Sequence, residues 1–220
     1  MSLNALLQQT LEASNTRFPE EARKVITSAM DEMRQMNIAK SARCVGDYLP
    51  AATLKDANGG ELVISELNED GPLIITFYRG GWCPYCNLEL RAYQNVLDKI
   101  EELGGQLVAI TPEKPNQSLS TIEKNALSFP VLTDTANAFA KSMGIAFELP
   151  AGLKALFTQF GMNLPDLNDR AGWALPVPAT FVVDATDRIV LADIDVDYTR
   201  RLEPADAIAA LSSCIYPGAG

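Results

Sequence analysis

Two short apolar runs constrain this chain more than anything else in it: Pro72-Leu-Ile-Ile-Thr-Phe-Tyr78 and Gln106-Leu-Val-Ala-Ile-Thr111. Each has the length and β-rich composition of a strand buried on both faces. Between them, Cys86 to Leu103 carries helical spacing (Leu88, Ala92, Val96, Ile100) and ends at Gly104-Gly105. Residues 72–111 therefore read as one β-α-β unit, and the right-handed crossover rule makes its two strands parallel.

The rest of the chain is read around that unit. Residues 2–40 are helical, with Leu3, Leu6, Leu7 and Leu11 on one face and, after Pro19, a second stripe of Ala22, Val25, Ile26, Ala29 and Met33. Phe18-Pro19-Glu20-Glu21 has the proline and acids of a helix start. This segment is either a dimerising arm or a lid packed on the main body. Thr53-Leu-Lys-Asp and Glu61-Leu-Val-Ile are short strands across the turn Asp56-Ala-Asn-Gly-Gly. Helices are predicted over 118–126 and 135–143, with a strand over 129–132. Residues 145–176 form an insertion with one short helix over 153–160. A hairpin joins Ala179–Asp184 to Arg188–Asp193, and a last helix covers Pro204–Ser213. The predicted division is an extension over 1–42 and one α/β domain over 43–220.

Composition narrows the chemistry. Nearly half of the 220 residues are hydrophobic, enough for a sizeable core without disulfide staples. Lys and Arg total 18 against 28 Asp and Glu, a net charge of −10. Such a surface repels phosphate backbones, so neither nucleic acid nor an anionic membrane is an expected partner. The sequence contains no histidine, which excludes Ser–His and Cys–His catalysis and every His-ligated metal. The first 18 residues do not read as a secretory signal, and no apolar run approaches a membrane span. Four cysteines, at 44, 83, 86 and 214, are too few for a secreted disulfide scaffold. A cytoplasmic location is the expectation, where a C-x-x-C is redox-active or metal-binding.

Cys83-Pro84-Tyr85-Cys86 stands between the end of the first buried strand and the start of the helix. A thiolate at a helix N-terminus is stabilised by free N–H groups and the macrodipole, which lowers its pKa below the free-thiol value of about 8.5. One helical turn brings Cys86 within reach of a mixed disulfide or sulfenic acid on Cys83. Pro84 sits where its missing N–H costs nothing. A structural zinc is the alternative, and it would need Cys44 and Cys214 to complete the ligand set. The strand-loop-helix setting is expected to expose Cys83. Arg79, on the same loop, either stabilises the thiolate or an oxyanion or is a surface arginine. Trp82 either docks a substrate or caps the core edge. Pro178 precedes the strand containing Thr180 and is read as either cis, facing the dithiol, or trans. Cys44 is either a distant resolving cysteine or a small buried residue, and Cys214 a candidate for an intermolecular disulfide. Asp195 and Asp197 are either a site feature or a solvated loop.

The order strand–Cys–helix–strand, then Pro-x-Thr-Phe-Val-Val-Asp opening a hairpin, resembles the thioredoxin-like superfamily and its peroxiredoxin branch (the alkyl hydroperoxide reductase/thiol-specific antioxidant group). Phe77-Tyr-Arg-Gly-Gly-Trp-Cys-Pro-Tyr-Cys86, Trp173-Ala-Leu-Pro-Val-Pro-Ala-Thr180 and Asp195-Val-Asp-Tyr-Thr-Arg-Arg-Leu-Glu-Pro204 resemble a C-x-x-C subgroup. The resemblance implies a thioredoxin-like fold, a central mixed sheet flanked by helices, with Cys83 peroxidatic, Cys86 resolving and Pro178 at the cis-proline position. It implies no cofactor and no metal. Two positions depart from the pattern. Gly80 stands where peroxiredoxins carry the Thr or Ser that orients peroxide, and Val177-Pro178-Ala179 stands where they carry an arginine. Arg79 is the substitute the sequence offers.

Three functions follow. The first is a thiol-dependent peroxidase for hydrogen peroxide or organic hydroperoxides, recycled by a thioredoxin-, glutaredoxin- or glutathione-type donor. The second is a thiol-disulfide oxidoreductase acting on protein disulfides, and the third a redox-sensing interaction protein without turnover. A homodimer through the N-terminal helices is a possible assembly.

Overall fold

The computed structural model describes residues 1–69 and 71–215. Asp70 and the end of the predicted domain, 216–220, lie outside the described residues. The two diagnostic apolar runs form β3 (Leu73–Phe77) and β4 (Gln106–Thr111), parallel and in register from Leu73 opposite Gln106 to Phe77 opposite Ile110. They sit at the middle of a seven-stranded mixed sheet. On one side follow β5 (Val131–Thr133), β1 (Thr53–Lys55) and β2 (Glu61–Val63). On the other lie β8 (Ala179–Val183), antiparallel to β3, and β9 (Ile189–Ile194), antiparallel to β8. This is the α/β, thioredoxin-like arrangement that the motif order implied.

Because strand side chains alternate, β3 feeds two cores. Leu73, Ile75 and Phe77 join one layer and Ile74 the other. The first layer is closed by α2 (Glu20–Gln35), α7 (Ala138–Ser142) and α8 (Ala151–Gln159). The second is closed by α1 (Leu3–Arg17), α4 (Pro84–Gln94), α5 (Leu97–Glu102) and α10 (Pro204–Ile215), and it contains Cys83 and Cys86. The two N-terminal helices thus serve opposite faces of the sheet. Part of their apolar stripes, the ground for expecting a dimer, enters the chain's own core: Leu3 and Leu7 on α1 and Ala22, Ala29 and Met33 on α2 are buried, while Leu6, Leu11, Val25 and Ile26 are half-buried.

Three expectations are corrected. The helix predicted over 86–103 is two, because the chain leaves helical geometry at Val96 (φ −121, ψ 8) just after Asn95, whose short amide competes for backbone groups. The helix predicted over 135–143 is a one-turn 3-10 segment (Thr135–Asn137) followed by α7, separated at Asn137, which is in the left-handed region. The insertion holds more than one helix. It contains a small antiparallel sheet, β6 (Ala146–Glu148) with β7 (Ala174–Pro176), and after α8 a further turn, α9 (Leu164–Leu167). Three-residue strands give too little alternation to read. A short helix, α3 (Ile38–Ser41), and α6 (Pro115–Asn125) complete the set used below.

Leu7 is 1 % exposed at the junction of α1 with the layer that houses the dithiol. Leu7→Ala should lower the unfolding free energy by about 2–5 kcal/mol, measured by urea denaturation. A change under about 0.5 kcal/mol, typical of surface sites, would show that α1 is not part of the folded core.

Candidate active site

The site is built on the turn from β3 into α4. Pro84 occupies the first turn of α4 and Cys83 its N-cap, where Cys83 Sγ accepts the Cys86 N–H at 3.4 Å. The turn itself is held by a buried amide network. Asn87 Nδ2 donates to the carbonyls of Gly81 (2.8 Å) and Cys83 (2.9 Å), and Asn87 Oδ1 accepts from Asn125 Nδ2 at 2.8 Å. Arg91 Nη1 closes the chain on Asn125 Oδ1 at 2.6 Å. Such a network fixes the backbone that presents the sulfur.

Both sulfurs are buried: Cys83 and Cys86 are 0 % exposed. The expectation that Cys83 is exposed fails because the segment after β9 folds back over it. Asp195 Oδ1 accepts the Asp197 N–H (2.8 Å), and Asp197 Oδ1 accepts the Thr199 N–H (3.1 Å) and hydroxyl (2.7 Å). These side chains shape a loop that lays the Tyr198 ring on the Arg79 guanidinium (3.9 Å) and edge-on to Tyr85 (5.7 Å). From the other side, α1 reaches the motif through a Tyr85 hydroxyl bond to Ser14 Oγ at 3.4 Å.

Arg79 is no surface residue. It is 6 % exposed and its Nη2 donates to Cys83 Sγ at 3.0 Å. Burial alone would raise the Cys83 pKa. A hydrogen bond from the Cys86 thiol and the charges of Arg79 and Arg201 outweigh it and bring Cys83 well below the usual thiol range. Cys86 moves the other way, raised by burial, by its bond to Cys83 and by the charge on Cys83. The two sulfurs are thus driven apart, Cys83 toward the thiolate and Cys86 toward the thiol.

Gly80 and Trp82 explain each other. Gly80 has φ +153, and a Cβ there would stand 2.3 Å from Trp82 Nε1 and 2.8 Å from Glu113 Cδ. The space a Thr or Ser would use is taken by indole and carboxyl. Trp82 leans edge-on against Phe157 of α8, with Arg79 over its ring at 5.0 Å. Trp82 Nε1 and Arg79 Nε are buried and find no acceptor among the described residues. Glu113, at the end of β4 and 2 % exposed, accepts the Gly81 N–H at 2.8 Å, and burial pushes its carboxyl up to about 7.

Sequence reasoning missed the second arginine. Arg201 Nη2 lies 3.4 Å from Cys86 Sγ and its Nε 2.6 Å from Glu89 Oε2, both side chains buried. Arg79 is thus not the sole cation at the dithiol. The available signals were a carboxylate, Glu89, inside the apolar face of a helix, and Arg200-Arg201 in an otherwise acidic chain. Two further named residues lie in β8 or just before it. Thr180 is buried in β8 and accepts the Tyr93 hydroxyl bond at 3.4 Å rather than contacting a sulfur. Pro178 is buried between β7 and β8 with a trans peptide before it, so the cis alternative is corrected. Of the two readings of Cys44, the small buried residue is corrected: the side chain is exposed and hydrogen-bonded to Asp47, whose carboxylate raises its pKa. Cys214 is half-buried in α10. No group of three or more His, Cys, Asp or Glu able to hold a metal gathers among the described residues, so the distant cysteines do not complete a zinc site with the dithiol. No described helix is long and apolar enough to cross a membrane.

The buried Glu113 gives stability a pH dependence. Its folded pKa of about 7 lies above its ordinary 4.5, so folding favours the protonated form. That contribution is complete below pH 4.5 and is lost as pH rises through about 7. Urea unfolding across this window should show falling stability, and Glu113→Gln should flatten the fall. An unchanged slope in the variant would contradict the assignment.

Comparisons with known proteins place the chain and its fold in one group. The AhpC/TSA family model matches residues 45–192. A chloroplastic peroxiredoxin Q of Populus jackii is 28 % identical over 104 residues, 47 % of this chain and 48 % of the relative, so the chain spans about half the length of that relative. A putative peroxiredoxin of Mycobacterium tuberculosis is 25 % identical over 154 residues, covering 70 % of this chain and 87 % of the relative. Among solved structures, peroxidoxin BcpB of Mycobacterium tuberculosis superposes with a TM-score of 0.61 at 20 % identity, over 77 % of this chain and 97 % of that one. With the matched segment carrying the whole C-x-x-C turn and the strands that frame it, the chain belongs to the AhpC/TSA family.

Proposed function

We propose that the chain is a thiol peroxidase. The Cys83 thiolate attacks the O–O bond of hydrogen peroxide or an organic hydroperoxide and becomes a sulfenic acid, releasing water or an alcohol. Cys86 condenses with that sulfenic acid to a disulfide, and a thioredoxin-, glutaredoxin- or glutathione-type thiol reduces it. The observation that carries this reading is the 3.0 Å contact from Arg79 Nη2 to a Cys83 sulfur at a helix N-terminus. The same cation that holds the thiolate is placed to stabilise charge developing on the departing oxygen. The Trp82 Nε1–H and Arg79 Nε–H, buried without acceptors among the described residues, are donors available to a peroxide. They take the orienting role that Gly80 cannot supply.

Burial weighs between the readings. Two sulfurs at 0 % exposure suit a small substrate, whereas attack on a protein disulfide requires the Tyr198 loop to open before any partner reaches them. The peroxide reading needs that opening only for recycling, not for the oxidation of Cys83. Supply of reducing thiols implies a reducing compartment such as the cytoplasm.

Stopped-flow mixing of reduced protein with hydrogen peroxide and with an organic hydroperoxide tests the proposal. Cys83 should oxidise much faster than a free thiol at the same pH, and Arg79→Met should slow the step by about 10²–10³. A rate no faster than that of free cysteine contradicts it. Reduction of a protein disulfide at a higher rate than peroxide would favour the oxidoreductase reading.

A further inference from the structure

The buried pair Arg201–Glu89 bears on Cys83 only through the charge of Arg201, and its direct contact is with the other sulfur. Arg201 enters from the loop after β9, with Nε on Glu89 Oε2 at 2.6 Å and Nη1 on the carbonyls of Tyr198 and Arg200 at 2.6 Å each. Nη2 is left for Cys86 Sγ, at 3.4 Å. Glu89 is held in turn by the Thr76 hydroxyl at 3.3 Å. A fully buried ion pair gives little net stability over apolar residues of the same size. This one spends its remaining donor on a sulfur.

We propose that Arg201 is a catalytic residue of the second chemical step, supporting the Cys86 thiolate as it attacks oxidised Cys83, with Glu89 as its positioning residue. The proposal rests on the peroxidase reading above. In the reduced protein the charge on Cys83 opposes a second thiolate beside it. Oxidation turns Cys83 into a neutral sulfenic acid, the opposition disappears, and both guanidinium groups remain. Cys86 thus becomes easier to ionise at the moment its nucleophile is needed. Its sulfur supplies the electron pair of the new S–S bond, the Cys83 S–O bond breaks, and the hydroxide leaves with the Cys86 proton as water.

The first arm of the test needs no peroxide. Cys83→Ser places an uncharged hydroxyl where the sulfenic acid would be, and Cys44→Ser and Cys214→Ser leave Cys86 as the single thiol. The other groups that bear on Cys86 are Arg79, Arg201, Glu89, Glu113 and Tyr78. Thiolate absorbance against pH should place Cys86 lower in this protein than in one that retains Cys83. Adding Arg201→Met should raise it by about one to three pH units, and Arg201→Lys should restore part of the fall. Glu89→Gln alongside Arg201→Met removes the unpaired carboxylate, so the rise that remains reports the lost cation alone. A Cys86 titration indifferent to Arg201→Met overturns the proposal. If the methionine variant does not fold, the chain with Arg201 intact decides. Disulfide formation after oxidation should follow a pH profile centred below the Cys86 pKa of the reduced protein, and a profile at or above it overturns the proposal. If the titration responds to Arg201 while peroxide leaves the dithiol untouched, the peroxidase reading falls and the support of Cys86 by Arg201 stands.

Discussion

One charge pairing organises this molecule: the Arg79 guanidinium against the Cys83 sulfur, 3.0 Å apart and shielded from water. A thiolate taken out of water is costly unless it is paired and hydrogen-bonded, and each neighbouring element supplies part of the pairing. The end of β3 delivers Arg79, the start of α4 delivers an N–H, and the Asn87–Asn125 network holds the turn between them. Without the hydrogen bond from Cys86 and the charges of Arg79 and Arg201, burial would leave Cys83 a protonated, inert thiol.

The closed site follows from the same pairing. Tyr198 lies on the outer face of the Arg79 guanidinium, and the loop that carries it also delivers Arg201 to the second sulfur. Asp195 and Asp197 act on this loop through its backbone, not on the chemistry directly. On the far side, α1 packs over Tyr85 and contributes Leu3 and Leu7 to the layer containing the dithiol. Helix α1 and the segment after β9 are therefore walls of the site, although nearly the whole chain lies between them.

Much of this was legible in the sequence. The β3–α4–β4 unit, the hairpin of β8 and β9 and the position of Cys83 at a helix start follow from local periodicity, which short-range physics sets. What could not be read is what approaches the dithiol from a distance. Arg201 lies 115 residues from Cys86 and Glu113 32 residues from Gly81, and no spacing rule pairs them. The exposure of Cys83 was misjudged for that reason, since the local motif opens the site and the distant loop closes it. Gly80 looked like the loss of an orienting residue. In three dimensions its missing side chain makes room for Trp82 and Glu113.

The central claim is that Cys83 is a thiolate at neutral pH because the side-chain hydrogen bond from position 86, the charges of Arg79 and Arg201 and the helix N-terminus hold it so. The most direct measurement is the titration of Cys83 alone, by thiolate absorbance, in a chain whose other three cysteines are serine. The account predicts a pKa clearly below the free-thiol value of about 8.5. A value at or above it would mean that burial prevails over the guanidinium, and the account would be wrong.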